Sequence, residues 1–262
     1  FNQLVALQPP DFLTIGPDLA ESWQVSADGK TYTFKIVAGV VDHKGNPWTA
    51  KDAKFTLDLL TTKTASRPPH EYVFTGGASV FESIEAPNDT TLIVKLKNVD
   101  SILFSQMALP QISMFTQASY DEKDSAMNPV GTGPYKLVKN QPGELVEYAA
   151  TPNYFKKGLP YLDGFQTYII ADTATMHAAF EAKRIDLIMM GGSEGATERN
   201  TGVIERRHPG EITRYEGLHP VGRGITFNFK ADGPWKDVRV RQAINLALSR
   251  DDICSVVPNC YI

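Results

Sequence analysis

Cysteine is scarce: Cys254 and Cys260 are the only two among 262 residues. Six positions apart, they could close one small disulfide loop in an oxidising compartment. No histidine pair stands beside them, which argues against a zinc site. Charge of one sign is equally scarce. Lys and Arg number 26 against 30 Asp and Glu, a net charge of −4, with no basic stripe. That balance argues against a nucleic-acid or anionic-membrane partner. No uninterrupted apolar run reaches the length of a bilayer span. Internal repeats, low-complexity tracts and long linkers are also missing. The chain starts at Phe1 with no signal-like segment, so targeting cannot be read from it. What is present is ordinary for a globular protein: 42% hydrophobic and 21% charged residues. The length suits one large domain or two of common size.

Local patterning predicts a β-rich first part. "YTFKI" places Tyr32, Phe34 and Ile36 on one face of a half-buried strand between the turn clusters "SADGK" and "HKGNP". "TAKDAKFTLDLL" predicts a helix opened by a Thr49/Asp52 capping box. "FESIEA" and "TLIVKL" read as a hairpin across residues 87–90. Residues 101–109 read as a short apolar helix capped by Asp100. After Asn128 the character changes. "NPVGTGPYKL" is a Pro/Gly loop leading into a strand. "FQTYIIADTATMHAAFEAKRIDLIMM" reads as strand, helix and strand. Apolar runs at 165–170 and 185–190 flank a helix capped by Asp172, which predicts a parallel βαβ crossover. A helix over 195–207 and strands near 211–215 and 224–230 follow. Last, Asp237 caps a helix over 237–249, with Val240, Ala243, Ile244, Ala247 and Leu248 on one face.

Catalytic patterns are incomplete. "GGSEG", residues 191–195, matches the G-x-S-x-G elbow with Ser193 as nucleophile, in the strand-to-helix setting such an elbow needs. The final histidine is His219, so any acid between Ser193 and a histidine is crowded into a few turns. A small-residue turn at a strand end explains the same letters. His43, His70, His177, His208 and His219 are scattered, and none is paired at helical spacing. "GTGPYK" and "GRGITF" fall short of a phosphate-cradling loop. The expectation is no catalytic residue, no metal and no cofactor.

Read together, these pieces resemble a known pattern. "DLAESWQVSADGKTYTFKI" with "HKGNPWTAKDAKFTLDLL", then "NPVGTGPYKLV", "PNYFKKGLPYLDGFQTYII", "FEAKRIDLI" and "ITFNFKADGPWKDVRVRQAINLALSRDDI" follow one another in order. They resemble the extracytoplasmic solute-binding proteins of ABC importers, peptide/nickel class, family 5. Two stretches depart from that pattern: Val41 and Asp42 replace an aromatic and a polar residue, and "SVVPNCYI" is an atypical continuation.

The resemblance implies a fold class of α/β with a mixed α+β accessory lobe, a two-lobed type II periplasmic-binding-protein-like fold truncated at both ends. It implies a β-rich accessory lobe over 1–128, an α/β lobe over 129–232 and the start of the second ligand-binding lobe over 233–262. Ligand would be held between lobes that close about a hinge. The implied ligand-binding residues are His70, Tyr72, Met190, Gly191, Arg223, Gly224 and Asn228. The implied partners are a peptide or small solute and ABC permease subunits. The implied location is periplasmic or extracellular, with a lipid anchor on the full-length protein. As a piece of a longer protein, the chain alone is expected to bind ligand weakly. Two other readings stay open at this point: an α/β hydrolase using Ser193, and a ligand-sensing receptor that reuses the fold.

Overall fold

The computed structural model describes residues 1–9, 12–61, 80–120, 127–188, 198–213, 225–249 and 251–252. Two compact units divide the chain, Phe1–Ile169 and Ile170–Ile262.

In the first unit, β1 (Val5–Gln8) and β2 (Thr14–Pro17) form a two-stranded antiparallel ribbon. β3 (Ala20–Val25), β4 (Thr31–Ile36), β5 (Phe81–Asn88) and β6 (Thr91–Leu96) form an antiparallel sheet in the order β3-β4-β6-β5. The alternation read from "YTFKI" is realised: Tyr32, Phe34 and Ile36 are buried. Across the ladder Tyr32 faces Val94 and Phe34 faces Leu92, so one apolar face continues from strand to strand. On β5, Phe81 and Ile84 both point inward although their parity differs, because a register shift between Phe81 and Ser83 resets the alternation.

Helix α1 (Ala50–Thr61) covers this face and lies against β5 and β6. Its inward positions are Ala50, Ala53, Thr56, Leu57 and Leu60. The capping box forms as expected. The Thr49 N–H donates to Asp52 Oδ2 at 2.9 Å, and Thr49 Oγ1 accepts from Lys51 N at 3.2 Å. α2 (Leu103–Met107) and α3 (Gln117–Tyr120) close the core with Leu103, Met107, Ile112 and Met114. Asp100 caps the turn before α2, accepting from Ile102 N at 3.0 Å. Each fully buried Leu, Ile or Phe here contributes about 1.5–3 kcal/mol relative to exposure.

A second antiparallel sheet, β7 (Tyr135–Gln141), β8 (Leu145–Ala150) and β9 (Gly164–Tyr168), completes the unit. The β7–β8 hairpin turns at Gly143, whose φ of +78° suits glycine. At Gly164 a Cβ would stand 2.4 Å from the Tyr148 carbonyl oxygen, so only glycine permits that strand approach. Tyr148 stacks on Phe165 at 4.7 Å, and Tyr135 meets the Phe165 ring edge-on at 5.0 Å. Among the described residues, no member of this sheet is fully buried.

The second unit holds α4 (Thr173–Glu181), α5 (Glu198–Arg207) and α6 (Val238–Ala247). Asp172 caps α4 through Thr175 N at 2.7 Å, and Asp237 caps α6 through Arg239 N at 2.9 Å, both as expected. On α6, Val240 and Ile244 are half-buried, while Ala243, Ala247 and Leu248 are exposed.

The parallel crossover is not found. β9 pairs antiparallel with β8, and the described residues 185–188 form no strand. Residues 189–190 lie outside the described residues. No strand forms over 211–213 or 225–230 either. The reason is local. The tight turn at residues 141–144 brings β8 beside β7, and the Ala150 N–H to Asp163 carbonyl bond (2.7 Å) seats β9 on β8. Short antiparallel closure leaves β9 as an edge strand with four of its five residues exposed.

Candidate functional site

Of the seven residues read as ligand-binding, His70, Tyr72, Met190, Gly191, Arg223 and Gly224 lie outside the described residues, as do Ser193, Cys254 and Cys260. Asn228 is described and exposed. Its Oδ1 accepts from Lys230 N at 3.0 Å, closing an Asx-type turn. Its carbonyl accepts from Trp235 Nε1 at 3.0 Å and from Ala231 N at 3.2 Å.

Trp235 explains Gly233. The indole lies where a Gly233 Cβ would stand, 2.3 Å away, so the ring packs flat on bare backbone. Arg241, on α6, donates from Nη1 to the carbonyls of Trp235 (2.6 Å) and Lys236 (3.0 Å). Its guanidinium also lies 5.1 Å from the Phe229 ring centroid. Residues 228–241 are therefore one cross-tied segment, and the Asn228 side chain is held at its surface by turn chemistry. Among the described residues, the Asn228 amide nitrogen makes no hydrogen bond.

Two polar clusters in the first unit escaped the sequence reading. The first surrounds Asp42, a buried carboxylate with no cationic partner among the described residues. Oδ1 accepts from Lys44 N and Asn46 N, both 2.9 Å. Oδ2 accepts from Asn46 Nδ2 (3.0 Å), Thr116 Oγ1 (2.7 Å) and Ser119 Oγ (2.6 Å). Burial pushes this carboxyl up, yet the donors from Ser119, Asn46 and Thr116 outweigh it and hold the group below its ordinary value. The second surrounds Asp18. It accepts from Asn2 Nδ2 (2.7 Å) and Gln3 N (2.8 Å) and pairs with Lys156 Nζ (2.7 Å). Asn2 Nδ2 also donates to the Tyr154 hydroxyl at 2.9 Å. Burial pushes that phenol up to about 12, Asn2 opposes the rise and the Asp18 charge adds to it. Neither cluster has a sequence signature, because each joins residues more than 70 positions apart.

The loop "NPVGTGPY" is held by His43. The His43 N–H donates to the Gly131 carbonyl at 2.9 Å. His43 Nε2 lies 3.1 Å from the Gly133 carbonyl oxygen, and Gly131 N donates to Nδ1 at 3.4 Å. Among the described residues, no group of three or more His, Cys, Asp or Glu side chains could hold a metal ion, and no helix is long and apolar enough to cross a membrane.

Similarity to known proteins is extensive. The profile of the bacterial extracellular solute-binding proteins, family 5 Middle, matches residues 14–259. A Brucella ovis protein, named as a peptide-binding protein of an ABC transporter, is 33% identical over 247 residues, covering 90% of this chain and 43% of its own. The glutathione-binding protein GsiB of Pectobacterium atrosepticum is 28% identical, covering 93% of this chain and 45% of its own. Among solved structures, the binding protein MoaA of A. tumefaciens R10 with mannopinic acid is 26% identical. It superposes with a TM-score of 0.75, covering 98% of this chain and 50% of that one. NikA of Brucella suis with Fe(III)-EDTA gives 25% identity and a TM-score of 0.72 over 98% of this chain and 50% of its own. The fold is thus that of the two-lobed type II periplasmic binding proteins. The chain spans less than half the length of the curated relatives it matches. These relatives are binding proteins, and none of the matches favours the hydrolase reading of residues 191–195. With the family profile running over residues 14–259, the chain belongs to the bacterial extracellular solute-binding proteins, family 5.

Proposed function

We propose that this chain is part of the substrate-binding component of an ABC importer. It captures a peptide or similar small solute outside the cytoplasmic membrane and delivers it to permease subunits, without catalysis and without a resident cofactor. The observation that carries the reading is the family match over residues 14–259. The relatives' names, peptide-binding and glutathione-binding, point to small polar solutes with amide and carboxylate groups. On this reading, residues 1–128 form an accessory lobe, 129–232 an α/β lobe and 233–262 the start of a facing lobe. His70, Tyr72, Met190, Gly191, Arg223, Gly224 and Asn228 contact the solute. In the full-length protein a lipid anchor holds the assembly at the outer face of the membrane.

The test is calorimetric titration of the full-length protein with a tripeptide panel and glutathione, together with incubation with a serine-directed phosphonate. Saturable one-to-one binding without a covalent adduct is expected. An adduct at Ser193 with no saturable solute binding would replace the importer reading with the hydrolase one.

A further inference from the structure

We propose that His43 is an acid-sensitive latch that fastens the Gly131–Thr132–Gly133 loop in its neutral form and loosens it on protonation. The inference goes beyond the importer reading and does not depend on which solute is bound.

The geometry selects one tautomer. The Gly133 carbonyl can only accept, so the Nε2 atom 3.1 Å away carries the proton. Nδ1 is then a bare acceptor, and it receives the Gly131 N–H at 3.4 Å. With the His43 N–H bound to the Gly131 carbonyl at 2.9 Å, three hydrogen bonds tie one residue to one loop. The Gly133 carbonyl also accepts from Thr151 Oγ1 at 2.8 Å, so the same point carries the link to the segment after β8.

Protonation adds a hydrogen to Nδ1. That hydrogen faces the Gly131 N–H, donor against donor, and the bond is lost. The new positive charge is also half-buried. The charged groups facing the ring are Asp42 from its own turn and Lys136 from β7. Asp42 favours the cation, but its two oxygens are occupied by five donors of their own. Lys136 opposes it. Burial, the largest influence, holds the imidazole below its ordinary value of 6.5, and the Gly133 carbonyl only partly offsets this.

The sign follows. The latched state binds fewer protons than the opened state, so the latch is complete above the ordinary histidine value. It weakens as pH falls from there towards the lower value of the latched form. Over that interval one proton is taken up on opening, so the opening equilibrium rises by up to about tenfold per pH unit.

The experiment is amide exchange at Gly131, Thr132, Gly133 and Tyr135 between about pH 7.5 and pH 5, corrected for intrinsic exchange, in the wild type and in His43→Gln. Glutamine keeps a donor and an acceptor but does not titrate. The wild type should lose protection at Gly131 with the one-proton slope, and the variant should be flat. A histidine NMR titration of the wild type gives a second readout that needs no variant. An identical acid dependence in His43→Gln, or a His43 value at or above 6.5, would overturn the proposal.

Discussion

Removing the Asp42 carboxylate tests whether a buried anion held by five neutral donors organises the first unit. In Asp42→Ala the five donors lose their acceptor. They do not lose it equally. Lys44 and Asn46 lie on an exposed or half-buried turn, and their N–H groups can turn to water. Thr116 and Ser119 are 1% and 3% exposed, so their hydroxyls have no such recourse. At about 1–3 kcal/mol for each of these two stranded hydroxyls, the expected loss is about 2–6 kcal/mol. For a unit of this size that lowers Tm by about 5–20 °C. Asp42→Asn keeps the Oδ1 acceptor but turns an amide towards the Asn46 amide, so its cost should be about half as large. Urea unfolding followed by tryptophan fluorescence is the assay, since buried Trp48 donates to the Phe115 carbonyl (3.1 Å), one residue before Thr116. A double-mutant cycle with Ser119→Ala should show coupling, because either change alone removes the 2.6 Å bond. The pH dependence has a fixed sign. The folded-state value is below 3.8, so the contribution is complete above the unfolded value and disappears as pH falls through the folded one. A loss under about 0.5 kcal/mol for Asp42→Ala, with additive behaviour in the cycle, would refute the reasoning.

Four further outcomes are expected. Asp18→Ala should cost about 2–3 kcal/mol, and Lys156→Met less, because Asp18 is buried while Lys156 is one-third exposed and Asn2 and Gln3 remain as donors; chemical denaturation ranks the two. Asp52→Ala should cost about 1–2 kcal/mol by the same assay, since Asp52 closes the α1 capping box and its Oδ1 also accepts from Gln117 N at 3.0 Å. Leu57→Ala, which empties a fully buried position of α1, should cost about 2–5 kcal/mol and lower the urea midpoint without changing the slope. Gly143→Ala forces a side chain into a backbone with φ of +78° and should cost about 1 kcal/mol, seen as a lower Tm.

The sequence alone determined the parts whose signal is local. The Thr49/Asp52 box, the Asp172 and Asp237 caps, the alternation of β4 and the β5–β6 hairpin each depend on residues within a few positions. Their backbone geometry follows from short-range sterics and hydrogen bonding, so their letters are enough. The family also follows from the order of motifs along the chain, now matched over residues 14–259. The strand, helix and strand pattern after residue 164 misled, because apolar runs do not carry pairing direction. Tertiary structure gave β9 to β8 as an antiparallel edge, through a hairpin at Gly143 and the Ala150–Asp163 bond. The candidate site was legible at Asn228 only as a polar residue near glycines; its cross-ties to Trp235 and Arg241 needed coordinates. The Asp42, Asp18 and His43 clusters were invisible for the same reason. Each joins groups 77 to 152 positions apart in its longest contact: Asp42 with Ser119, Asn2 with Tyr154 and His43 with Gly133. No local propensity encodes such a meeting. It exists because burying β4, β6 and α1 together carries these polar groups into a space where each must find a partner.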